Sequence, residues 1–209
     1  MIDFSIYSDV IALQQDIAKK VIARNILPPQ IKYIAGVDVA YKDNTAYCSG
    51  VILNKKTLKT IKTVGKVLKV KYPYIPGMFM LRESNPILST LKLFKRPFDV
   101  LLVDGHGKLH PRRSGLACYI GVKINKPVIG VAKSLLCGTE KQDKVVLDGK
   151  IMGNVIKINK KKIYVSVGHK VSQKTALKIT RELILDGYWY PEPLRLAHIN
   201  SKKMKNLSQ

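Results

Sequence analysis

Acidic residues are scarce in this chain: 14 Asp and Glu stand against 37 Lys and Arg over 209 residues, a formal net charge of +23. From position 44 to 82 there is no acid at all, while Lys55, Lys56, Lys59, Lys62, Lys66, Lys69 and Lys71 fall in that stretch. Residues 105–139 repeat the pattern, with Lys108, Arg112, Arg113, Lys123, Lys126 and Lys133 and no counter-charge. A field of this sign draws polyanions, nucleic acid foremost, although a lysine surface tuned for solubility or heat resistance would have the same composition. Charge alone establishes affinity for phosphate and no chemistry. Cysteine is scarcer still. Cys48, Cys118 and Cys137 are odd in number and lack metal-ligand spacing, which argues against a disulfide framework and points to a reducing compartment. No run approaches the roughly 20 apolar residues of a membrane span. The start, Met1-Ile2-Asp3-Phe4-Ser5, lacks the basic residues and apolar centre of a signal peptide. A cytoplasmic protein with no membrane partner is expected.

What is present suffices for one substantial core: 46% of residues are hydrophobic and no repeat or linker interrupts them, so one domain over residues 1–209 is expected. Residues 8–24 place Val10, Leu13, Ile17 and Val21 on one helical stripe, an N-terminal helix within residues 1–25 that Pro28-Pro29 closes. Residues 31–41 alternate as a strand, with Tyr33, Ala35, Val37, Val39 and Tyr41 on one face. Asp38 takes the other face between the small residues Gly36 and Ala40, which leaves space around its carboxylate. Residues 47–53 and 59–71 extend this strand into an antiparallel meander. Ser84-Asn85-Pro86 reads as a helix start, with Ile87, Leu88, Leu91 and Phe94 its buried stripe and Glu83 at the junction just before it. Residues 100–103 are apolar throughout, as in a strand buried on both faces. With a helix over 114–124 and a strand over 127–133 they form a strand–helix–strand unit, whose strands lie parallel. Residues 144–158 and 162–170 read as strands with a turn at Asp148-Gly149, residues 172–185 and 193–203 as helices, and residues 205–209 as a loose tail. The expected fold class is α/β: a mixed sheet of antiparallel meander plus parallel strands, flanked by helices, in a ribonuclease-H-like arrangement.

The run on which this order centres ends in Asp104-Gly105-His106-Gly107. An acid at the carboxyl end of a central strand, followed by glycines, stands where open α/β sheets place ligands. Alone it would pass for a tight turn. Its company is Asp38 and Glu83, two more well-separated carboxylates able to converge with it inside a very basic protein. Clustered carboxylates repel, so such a group persists only around a proton or a hard cation. Oxygen donors favour Mg²⁺ or Mn²⁺, which can activate water and stabilise charge on a phosphodiester under attack. Taken singly, each acid is equally well a helix cap or a surface ion pair. Between them Tyr72-Pro73-Tyr74-Ile75-Pro76-Gly77 forms a loop stiffened by two prolines, with Tyr74 and Ile75 at its tip.

Five strings in these regions resemble the endonuclease V family, the deoxyinosine-directed repair nucleases. They are Gly36-Val37-Asp38-Val39; Pro73-Tyr74-Ile75-Pro76-Gly77 with Arg82-Glu83; Asp104-Gly105-His106-Gly107 with His110-Pro111-Arg112; Gly130-Val131-Ala132-Lys133-Ser134; and Leu194-Arg195-Leu196-Ala197-His198. Each is weak alone, and all five in order are specific. The resemblance implies a ribonuclease-H-like fold and metal-dependent cutting of DNA at the second phosphodiester 3′ to a hypoxanthine, leaving 3′-hydroxyl and 5′-phosphate ends. It implies Asp38, Glu83 and Asp104 as ligands of Mg²⁺ or Mn²⁺, Lys133 as the phosphate-binding lysine, and His198 as a histidine near the attacking water. Pro73, Tyr74, Ile75 and Pro76 match the family's wedge, a stiff tip that fills the gap left by a departing base. Phe79, Gly105, His110, Leu116 and Leu136 match its base pocket, where a glycine lets backbone N–H approach a purine edge. His106 is expected to support the loop, and His169 has no assigned part. The partner implied is deoxyinosine-containing DNA, met by a monomer. Three other readings stay open: inosine-containing RNA as substrate of the same site, a non-catalytic basic nucleic-acid binder, and a ribonuclease-H-like junction resolvase, which the wedge and pocket matches disfavour.

Overall fold

The apolar run at residues 100–103 lies at the middle of the sheet. In the computed structural model, which describes residues 4–207, β4 (Val100–Asp104) has four fully buried residues before its terminal acid. It is flanked in parallel by β1 (Tyr33–Lys42) and β5 (Val128–Ala132). From β1 the sheet continues antiparallel through β2 (Thr45–Asn54) to β3 (Thr60–Lys69) at one edge. From β5 it continues through β9 (Lys161–His169), β8 (Lys150–Ile158), β7 (Lys144–Leu147) and β6 (Thr139–Lys141) to the other. The order is β3-β2-β1-β4-β5-β9-β8-β7-β6, the mixed ribonuclease-H-like sheet expected of the element pattern. Asp148 and Gly149 both take positive φ (49° and 70°) in the two-residue turn that joins β7 to β8.

Two cores follow from the alternation of the central strands. On one face Ala35, Val37, Leu101 and Val103 pack with residues of α1 (Phe4–Lys20), α2 (Phe79–Leu91) and α3 (Leu116–Ile124). On the other, Ile34, Val100, Leu102 and Ile129 pack with α4 (Gln173–Glu182) and α5 (Glu192–Asn206). Each large aliphatic side chain so buried contributes on the order of 2 kcal/mol. Helix α5 lies on β1 and β2. Its approach to β1 is so close that a Cβ at Gly36 would run into the Pro193 backbone. Among the described residues no helix is long and apolar enough to cross a membrane.

Several boundaries differ from those expected. Helix α1 ends at Lys20 rather than 24, because Val21 and Leu27 pack into the opposite core and the chain must cross the sheet to reach it. Helix α2 starts at Phe79, and Pro86 lies inside it rather than at its start. Pro86 has no N–H to give the Arg82 carbonyl, and the Tyr41 hydroxyl, 3.4 Å away, donates to that carbonyl instead. Glu83 therefore sits in the second turn of a helix, buried, and not before it. Helix α3 begins two residues later than expected, at Leu116, and α4 ends at Glu182 rather than 185. The polar strand β6 was not anticipated. Helix α5 runs on to Asn206, so residues 205 and 206 are helical rather than a loose tail; residues 208–209 lie outside those described.

Candidate active site

Parallel register brings the first two acids together. Val37 pairs with Val103, so Asp38 and Asp104 are the next residues along neighbouring strands. Asp104 in turn pairs with Val131, two residues before Lys133. Lys133 Nζ lies 2.5 Å from Asp104 Oδ2 and 4.7 Å from the centre of the Tyr190 ring beneath it. From α5, Ser201 Oγ donates to Asp38 Oδ2 at 2.6 Å, and His198 Nδ1 lies 3.3 Å from the same oxygen. Glu83 enters from α2 on the other side of the sheet end.

These groups face one cavity of about 570 Å³, enough to admit a base with its phosphate. Asp38, Glu83, Asp104, Lys133 and His198 line it together with Tyr74, Phe79, Gly105, His110, Leu116 and Leu136. Pro73, Ile75 and Pro76 do not line it. Tyr74 is 62% exposed at the tip of its loop and meets Phe79 edge-on, ring centres 5.3 Å apart. Ile75 is not at the tip: it turns inward and packs against the core beneath α2, which anchors the loop from below. His106 Nε2 bonds the Ser134 carbonyl at 2.9 Å, tying the glycine loop to the segment after β5.

The electrostatics are those of carboxylates crowded out of water. Burial, then the charges of Asp104 and Asp38, push Glu83 well above the ordinary carboxylate range. Burial likewise raises Asp104 to about 6, against the pull of Lys133. Burial also acts on Asp38, but hydrogen bonds from His198 and Ser201 outweigh it and hold this group below its usual value. Among the described residues no three His, Cys, Asp or Glu side chains stand as a ready-made metal-ligand set, since Asp104 turns to Lys133 and Asp38 to α5. All the carboxylate donors are nonetheless oxygens with excess negative charge, which suits a hard dication.

Three contributors escape the sequence reading. Ser201 lies one helical turn from His198 on the same face, a spacing that could have revealed it. Tyr41 shares the strand face facing α2, and its hydroxyl is raised by burial and by Glu83. Tyr190 comes from the loop between α4 and α5, where no periodicity announces it. Its hydroxyl donates to the Val131 carbonyl at 3.3 Å and lies near Asp104.

Comparison with known proteins shows the family. The sequence pattern described as Endonuclease V matches residues 15–199. The endonuclease V of Thermofilum pendens is 39% identical over 193 residues, covering 89% of this chain and 83% of its own. That of Pyrococcus horikoshii is 42% identical over 190 residues, covering 91% and 82%. Among solved structures, endonuclease V of Ciona intestinalis in complex with a 24mer DNA containing an inosine followed by a ribo-adenosine superposes with a TM-score of 0.91. It is 26% identical, across 98% of this chain and 100% of that one. The matched span reaches from before Asp38 to just beyond His198, and the chain belongs to the endonuclease V family of nucleases.

Proposed function

We propose that the protein is a divalent-metal-dependent DNA repair endonuclease. It turns a deaminated adenine out of the helix and hydrolyses the second phosphodiester 3′ to that hypoxanthine, leaving 3′-hydroxyl and 5′-phosphate ends. The observation that carries the reading is one cavity with a carboxylate wall, a base-sized wall and Tyr74 at its mouth. Asp38, Glu83 and Asp104 would hold Mg²⁺, or Mn²⁺, because burial and then mutual repulsion raise Glu83 and Asp104, and a hard dication relieves both. Bound there, such an ion supplies an activated water and offsets charge gathering on the phosphodiester. Lys133, freed from Asp104, offers its ammonium to a phosphate oxygen, and the Tyr190 ring keeps it pointing into the cavity. His198, held through Nδ1 by Asp38, leaves Nε2 to orient the attacking water and accept its proton. The N–H groups of Gly105 and Gly107 are given to the Val131 carbonyl and to Ser166 Oγ, so another backbone N–H of this loop would meet the carbonyl that deamination introduces, and adenine would leave that donor unpaired. Tyr74, on a tip stiffened by Pro73 and Pro76 and anchored from below by Ile75, fills the place of the departed base. The protein acts as a monomer in the cytoplasm.

An end-labelled duplex with a single inosine, incubated with and without Mg²⁺, tests this. One cut at the second linkage 3′ to inosine, absent without the ion, is expected. Cutting elsewhere, or cutting that persists in chelator, overturns it. One observation favours a second substrate: the DNA in the Ciona relative's complex carries a ribo-adenosine after its inosine. Faster cutting of an inosine RNA strand than of the matched deoxyinosine strand would make RNA the principal substrate.

A further inference from the structure

The loop that carries Tyr74 is tied down at one atom. Ile75, Pro76, Gly77 and Met78 form a type II turn: Met78 N–H donates to the Ile75 carbonyl at 3.0 Å, and Gly77 takes φ +74° at the third position. That turn leaves the Gly77 carbonyl free, and three side chains converge on it. Gln14 Nε2 donates at 2.9 Å, Arg112 Nη2 at 2.8 Å and His110 Nε2 at 3.0 Å. The donors are themselves held. Gln14 Oε1 accepts from Arg112 Nε at 2.5 Å, and His110 Nδ1 accepts from the Arg112 backbone N–H at 3.2 Å. Gln14 is 1% exposed and His110 2%. With both ring nitrogens engaged, His110 presents a fixed ring to the cavity rather than a free donor.

We infer that Gln14, acting with Arg112, is a positioning residue that clamps the base of the Tyr74 loop to the His110 loop, so that insertion of Tyr74 and entry of the base into the pocket are one coupled movement. This rests on the wedge and pocket reading proposed above. The clamp joins three parts of the chain: α1 supplies Gln14, the segment after β4 supplies His110 and Arg112, and the Tyr74 loop supplies the shared acceptor. Losing Gln14 strips the half-buried Gly77 carbonyl of one of its three donors and Arg112 of its side-chain acceptor. The Tyr74 loop is then held only by His110 and by an Arg112 that has lost its own support, and its coupling to the pocket loosens. That loss falls on substrates whose base must be pulled from a stack, and spares those whose base is already unstacked.

Gln14→Leu keeps the bulk and removes both hydrogen-bonding atoms. Single-turnover nicking at saturating protein is expected to fall about tenfold on an inosine duplex and to stay within about twofold on the same inosine strand alone. 2-Aminopurine placed beside the inosine should lose most of its fluorescence rise on binding. An equal fall on both substrates, or an unchanged duplex rate, overturns the clamp. Tyr74→Ala, run in parallel, separates the two ideas. If it lowers the duplex-to-single-strand ratio and Gln14→Leu does not, the clamp alone fails; if it leaves the ratio unchanged, the wedge reading fails and the clamp with it. Should Gln14→Leu not fold, Gln14→Glu keeps the Arg112 contact while losing the donor to Gly77, and a wild-type ratio in that variant overturns the inference.

Discussion

Asp104 is held between Lys133 at 2.5 Å and the charges of Asp38 and Glu83. Removing its carboxylate takes away a ligand of the proposed ion while leaving the lysines that grip phosphate. Asp104→Ala is expected to lower nicking by about 10³-fold and to change inosine-duplex binding less than about threefold, as read by gel shift without metal. Full activity in that variant would remove Asp104 from the chemistry. His110 makes a prediction about stability. Burial pushes its imidazole down to about 4, against about 6.5 in an unfolded chain, so it is neutral in the fold. Between those values only the unfolded state takes up the proton. The contribution is therefore intact above pH 6.5 and lost as pH falls towards 4, about 3 kcal/mol in all. Asp104 and Glu83 act with the opposite sign: raised in the fold, they favour the native state at low pH and cease to as pH rises through their folded values. The comparison that isolates His110 is thus the wild type against His110→Gln, by urea melts at pH 7.5 and 4.5. The wild type should lose more stability than the variant across that interval.

Between elements, the contact that sets the site is α5 on β1. A methyl group at Gly36 would meet the Pro193 backbone, and no side chain can move to admit it. Gly36→Ala is expected to cost about 2 kcal/mol in urea melts. It should also lower nicking at temperatures where the variant is fully folded, because α5 carries His198 and Ser201 away from Asp38 as it shifts. A variant that is destabilised yet fully active when folded would show that this placement has no catalytic consequence. The same contact marks what the sequence could tell. The face assignments of β1 and the burial of β4 were legible because a strand's period is two and a doubly covered strand is apolar throughout. The start of α2 was not, because Pro86 looks like a first-turn proline and only tertiary contact with Tyr41 supplies the missing bond. The inward turn of Ile75 was hidden for a similar reason: loop composition indicates stiffness and not direction. All three acids could be picked out through their motifs, Asp104 also by its strand-end position and Asp38 by its small neighbours. Ser201, Tyr190 and Gln14 act through neighbours that only the fold brings near.

For the molecule as a whole, the +23 charge sets how it meets nucleic acid. Much of the surplus lies on exposed elements. The edge strand β3 exposes Lys62 and Lys69 and half-buries Lys66, and these charges also protect that edge from pairing with other sheets. Lys202 and Lys205 project from the same face of α5 as His198 and line the rim of the cavity beside Lys133. Cations so placed bind phosphates by displacing condensed counterions, and that gain weakens as bulk salt rises. With six or more phosphates engaged, affinity for an inosine duplex should fall about 10³-fold or more between 50 and 200 mM salt. An unmodified duplex should show nearly the same slope, since base recognition adds few charges. Lys202→Ala with Lys205→Ala should weaken both duplexes alike and make the log–log slope shallower by about 2, one for each lost phosphate contact. Fluorescence anisotropy across a salt series, without metal, measures all four slopes. If the double variant weakened binding to the inosine duplex alone, the two lysines would be part of base recognition rather than of the phosphate track; an unaltered slope would place them off the path of the strand.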